Sequence, residues 1–86
     1  MGYTGRQRGL AEQTAERVAA VTPSDAADLP EWAAALDIGT GGDVRITTWA
    51  GDVHTFRNRP SGSVLPVKAR RVWATGTTAQ DIAALY

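Results

Sequence analysis

Imidazole chemistry can begin only at His54, the single histidine of the chain, and a hydroxyl nucleophile of the serine type only at Ser24, Ser61 or Ser63. A Ser-His-Asp arrangement needs an imidazole held between the other two groups, and nothing in this spacing brings that about. His54 sits in an alternating segment beside a turn, where a lone histidine is a surface or packing residue. With one histidine and no cysteine, a metal site would have only carboxylates as further ligands, and Asp43 and Asp52 are turn formers. Asp25, Asp28 and Glu31 are spaced as turn and capping residues rather than as a hydrolytic pair, because so short a chain implies no cleft for a sugar. The Gly39 to Gly42 cluster lacks the lysine and hydroxyl residue of a phosphate-binding loop and precedes a strand rather than a helix. No catalytic residue, cofactor or metal is therefore expected.

Binding chemistry is better supplied. Arg57, Arg59, Lys68, Arg70 and Arg71 are close in sequence, and Trp49 and Trp73 flank them. Such a set either stacks bases or sugars on a strand-built platform or anchors a protein interface, where tryptophan and arginine are the usual hot spots. Alternation sends Lys68 and Arg70 to the face opposite Val67 and Ala69, which makes that face solvated or subunit-facing. The formal net charge of zero disfavours general affinity for nucleic acid. Three tryptophans in 86 residues are more than a core this small needs. The seven residues are accordingly interface candidates.

The elements that must position them belong to one small domain, since two cores in 86 residues would each be too small to offset chain entropy. No apolar run approaches the roughly 20 residues that cross a bilayer. Arg6 and Arg8 near the start are not followed by an apolar signal core, so synthesis in the cytoplasm without export is expected. Met1 to Glu16, with Gly2, Gly5 and Gly9, reads as a flexible arm preceding a single β-domain over 17–86. Residues 1–56 hold four basic and eight acidic side chains and residues 57–86 five basic and one acidic, an asymmetry able to guide docking.

Within that domain Arg17 to Val21 predicts a short strand ended by a turn at Thr22 to Asp25. Asp28 to Glu31 resembles a helix start, and Trp32 to Leu36 is either one or two helical turns or a turn leading into a strand at Ala35 to Ile38. Val44 to Trp49 and Val53 to Phe56 alternate around Gly51 and Asp52 and predict a hairpin. Val64 to Trp73 reads as one bent strand interrupted by Pro66, and Ile82 to Tyr86 as a closing strand. Five or six short strands at such spacing predict a mainly β chain, a small antiparallel sandwich or barrel. The expected core is Val18, Val21, Leu36, Ile38, Val44, Ile46, Phe56, Leu65, Val67, Val72 and Ile82. So few large apolar groups make a marginal monomer, and oligomerisation would supply further burial.

Four segments, AVTPSDAADL at 20–29, IGTGGDV at 38–44, TFRNRPSGSVLPVKARRVWATGTT at 55–78 and DIAALY at 81–86, together resemble the spike base proteins of gene transfer agents and related tailed phages of bacteria. The resemblance spans Val18 to Tyr86. It departs in Met1 to Glu16 and at the polar Asp37, where an apolar or aromatic residue is expected before the glycine turn. It implies a virion structural protein without catalysis: a β-domain forming a homo-oligomeric ring, a pentamer at a capsid vertex in preference to a tail ring. Such a ring would hold a spike or fibre on the capsid protein for attachment to the host surface.

Overall fold

A computed structural model describes residues 15–86, so most of the segment read as an arm lies outside the described residues. Seven strands follow in order: β1 (Val18–Ala20), β2 (Ala35–Thr40), β3 (Gly42–Thr48), β4 (Val53–Arg59), β5 (Ser63–Leu65), β6 (Ala69–Val72) and β7 (Gln80–Leu85). They form two antiparallel sheets, one ordered β1-β7-β2-β5 and the other β4-β3-β6. Leu36, Ile38, Leu65, Ile82 and Ala84 of the first sheet share one buried cluster with Val44, Ile46, Ala69 and Val72 of the second. The fold is thus a sandwich whose core lies between the sheets. Among the described residues no helix is long and apolar enough to cross a membrane.

The β3–β4 hairpin forms where alternation and Gly51-Asp52 place it, with Thr48 N–H donating to the Asp52 carbonyl at 2.8 Å. The apolar run after Pro30 becomes strand β2, led in by an isolated bridge between Ala33 and Ala69, and the helical alternative is not formed. The glycine cluster that follows shrinks to a corner of one residue, Gly41, because Gly39 and Gly42 already lie within β2 and β3. A Cβ on Gly41 would lie 2.5 Å from the Arg59 carbonyl oxygen and 2.8 Å from the Ser61 nitrogen. Only a residue without a side chain lets the chain pass between the sheets there.

The predicted bent strand Val64 to Trp73 is instead two strands in different sheets. β5 is an edge of the first sheet and β6 an edge of the second. Pro66, which has no N–H for a ladder, stands between them. Alternation is interrupted within β6. Thr47 pairs with Arg71 and Thr48 with Ala69, leaving Arg70 as an extra residue. This bulge lets Ala69 and Val72, three apart, both face the core. The closing strand forms as β7, inside its sheet rather than at its edge.

The predicted core is right for Leu36, Ile38, Val44, Ile46, Leu65, Val72 and Ile82. Val21, Phe56 and Val67 are half-buried against it. Val18 is wrong: it sits on the outer face of edge strand β1 and is 67% exposed. Four alanines, Ala33, Ala69, Ala79 and Ala84, take buried places that hydrophobicity alone did not mark. Asp37 lies between Ala83 and Val64 on the outer face of β2, so its polarity fits its position. Replacing Gly41 with alanine should destabilise the domain by about 1–3 kcal/mol, the usual range for forced overpacking. Thermal unfolding of Gly41→Ala checks this, and an unchanged melting temperature would show that the corner relaxes freely.

Candidate functional site

The sandwich divides the seven interface candidates into separate groups. Trp49 and Lys68 meet where the β3–β4 hairpin adjoins the chain entering β6, because Trp49 N–H donates to the Lys68 carbonyl at 2.9 Å. The Lys68 ammonium lies 4.6 Å from the centre of the Trp49 ring. Trp32 packs edge-on to Trp49 at 5.3 Å. The two indoles stay 45% and 50% exposed, a rigid apolar surface with one cation over it. Trp32 was not among the candidates. The surplus of tryptophan is the signal that pointed to it, but its segment has no periodicity to show its direction.

Trp73 and Arg71 form a second group on the outer face of the β4-β3-β6 sheet. Trp73 N–H donates to the Arg45 carbonyl at 2.8 Å, and its indole N–H to Thr47 Oγ1 at 2.9 Å. Two guanidinium groups flank the ring, Arg45 at 4.6 Å and Arg71 at 5.1 Å. Arg71 in turn donates to Asp28 Oδ1 at 2.8 Å and to the Asp25 carbonyl at 3.3 Å. This indole is therefore an internal stack that covers Thr47, with its polar atom and its faces already engaged.

Arg57 and Arg59 stand at the far end of β4 from the hairpin. Arg57 reaches Asp43 Oδ2 at 3.4 Å, and Arg59 reaches the Val64 carbonyl at 3.5 Å. Asn58 between them takes a positive φ of 55°. Gly42 pairs with Arg59 and Val44 with Phe56, so this strand carries one extra residue there. The Asp43 carboxylate accepts from Asn58 N–H at 2.9 Å and holds the bulge in place. Arg70 lies in the β6 bulge, and the Nε atoms of Arg59 and Arg70 are buried without a hydrogen-bond partner among the described residues. No single basic platform gathers these residues.

His54 is exposed on β4 with its ring edge-on to Phe56 at 4.8 Å. Among the described residues no three His, Asp or Glu side chains come together as metal ligands. A shallow groove of about 440 Å³ runs beside β1, lined by Val18, Val21, Leu29 and Tyr86 among others. Across its rim Arg17 is bonded to Glu31, which raises the guanidinium pKa above its ordinary value.

Asp25 closes the loop after β1 onto the turn after β6. Its carboxylate accepts from the Thr75 hydroxyl and from Thr75 N–H at 2.8 Å. The hydroxyl bond first, then the main-chain bond, hold its pKa below the usual carboxylate value. A depressed folded-state pKa contributes stability above the unfolded-state value near 3.9 and loses it as pH falls through the folded value. Melting temperature should accordingly fall below about pH 4, and less steeply in Asp25→Ala. Identical acid limbs in the two proteins would show that the clasp adds nothing.

No family model matches the chain, and no curated protein matches it. Among solved structures it is similar to a chain in the capsid of a native GTA particle computed with C5 symmetry. The two share 37% identity over 87% of each chain, with a TM-score of 0.78.

Proposed function

The chain belongs to the same family as that gene transfer agent capsid chain, and on this premise we propose that it is a non-enzymatic structural protein of a phage-like particle. In this reading it forms a ring, a pentamer at a capsid vertex, that seats a spike or fibre for attachment to the host surface. The identity to a capsid chain over most of both lengths is the observation that carries the particle role.

The physical design supports the finer reading. The largest fully buried side chains are only Leu36, Ile38, Ile46, Val44 and Val72, so a lone subunit has little core to spare and gains from burial against neighbours. Trp32, Trp49, Val18, Val53 and Val64 remain exposed, as anchors of partner contacts do. Trp49 with Lys68 and Trp32, and the arginines Arg57, Arg59 and Arg70, fall on different parts of the sandwich. That distribution suits a subunit touching several neighbours, namely its own copies, the capsid protein below and the spike or fibre above.

A second reading, a small carbohydrate- or nucleic-acid-binding module, draws on the exposed Trp32, Trp49 and Lys68 group. The two differ in native mass. Light scattering across concentration is expected to find a ring, and purified particles fractionated into heads and tails should carry the protein on heads. A monomer at every concentration that binds glycans or single-stranded DNA saturably would overturn the adaptor reading. Recovery on tails alone would move the ring to the tail.

A further inference from the structure

The β1-β7-β2-β5 sheet ends in two edges whose chemistry matches. On either side of β1, Tyr86 N–H donates to the Arg17 carbonyl at 2.9 Å and Val21 N–H to the Ile82 carbonyl at 2.9 Å. Antiparallel alternation then turns the N–H and C=O of Val18 and Ala20 away from β7, onto an edge that no strand among the described residues covers. On β5 the Val64 carbonyl faces away from β2, since the Arg59 guanidinium reaches it there at 3.5 Å. Both edge strands are three residues long. Val18 and Val64 are 67% and 48% exposed. Their ladder partners are Leu85 and Asp37, outside the core face, so both valines lie on the outer face of one sheet.

Direction matches as well. β1 is antiparallel to β7, β7 to β2 and β2 to β5, so β1 and β5 run oppositely. A β5 edge meeting the β1 edge of the next copy would continue the alternation unbroken. The two edges also lie on opposite flanks of the sandwich. β1 shares its flank with the segment that covers β6, where Ser24 N–H bonds the Val72 carbonyl and Leu29 N–H the Arg70 carbonyl. β5 shares the other flank with β4 through the Pro60 to Gly62 turn. β4 is open too, but it belongs to the other sheet, whose outer face points the opposite way. A β1 strand brought in by a small rotation cannot share a ladder with it.

We propose that copies of this chain join head to tail by pairing the β1 edge of one with the β5 edge of the next, Val18 opposite Val64, making one continuous antiparallel sheet around a ring. The inference rests on the ring reading and names its contact. A second copy is the occupant because edge length, direction, outer-face valines and charge all agree. Glu16 beside β1 makes no ion pair among the described residues, and neither does Arg59 beside β5. In the contact Val18 N–H replaces Arg59 on the Val64 carbonyl. A contact between two different edges is heterologous and makes a ring where its rotation closes, whereas an isologous contact stops at a dimer.

The chain has no cysteine, so Val18→Cys combined with Val64→Cys introduces the only thiols, both at exposed positions. Directly hydrogen-bonded pairs place their Cα atoms about 5.5 Å apart, within disulfide range. Oxidation of the full chain should yield a covalent ladder on a non-reducing gel that ends at the ring size, with neither single variant advancing beyond a dimer. Native mass is measured alongside. An oligomer that gives no ladder overturns the edge contact and leaves the ring standing, and a dimer formed efficiently by Val18→Cys alone overturns it in favour of β1 pairing with itself. A monomer by mass overturns both readings.

Discussion

The passage of the chain between its two sheets at Gly41 is the constraint on which the rest of the structure depends. One residue separates β2 from β3, so the apolar alternation of one strand is carried into the other with no slack. Leu36 and Ile38 must then face Val44 and Ile46 across the core. Asp43, two residues on, uses both halves of its peptide and its carboxylate. Its N–H donates to Thr78 Oγ1 at 2.9 Å, its carbonyl accepts from Thr78 and Ala79 N–H, and its side chain holds the β4 bulge. The corner therefore sets the register of β3, the bend of β4 and the approach to β7 together.

The core that results is built largely of small residues, with alanines at four of its eleven buried apolar positions. Such a core has no room for indole rings, and all three tryptophans lie at its rim or on an outer face. The link between packing and function is steric. A sandwich too slight for its aromatic residues leaves them at its surface, and in the proposed ring the same slightness leaves further burial to be gained by assembly. Trp73 shows that a surface position does not by itself mean availability, because Thr47, Arg45 and Arg71 already occupy its edge and faces.

Charge follows a similar economy. The first two-thirds of the chain are acidic and the last third basic, yet folding pairs Asp43 with Arg57 and Asp28 with Arg71 across that division. Part of an asymmetry that looked free for docking is consumed inside the subunit, and exposed pairs of this kind contribute little stability. What is left over is local: a cation above Trp49, an acidic flank at β1 and an arginine at β5. These are directional features, suited to setting register between neighbours more than to attracting a polyanion.

Local physics was enough for the class and for the hairpin. Period-two alternation at Val44 to Thr48 and Val53 to Phe56, broken by Gly51 and Asp52, specifies strands and a turn without reference to anything distant. The β identity of the final segment and most of the large core residues followed in the same way. What only the tertiary structure decided is which sheet each strand joins. Pro66 marks an interruption, but whether the chain bends within a sheet or crosses to another depends on space beside β2 and β3. The exposure of Val18 and the burial of Ala69 and Ala84 depend likewise on neighbours supplied from far along the chain, and the β6 bulge at Arg70 is a break in alternation that no local signal marks. The seven candidate side chains were legible as types suited to contact, whereas their division among separate parts of the sandwich, and the partnership of Trp32 with Trp49, arise from long-range packing that no local pattern encodes.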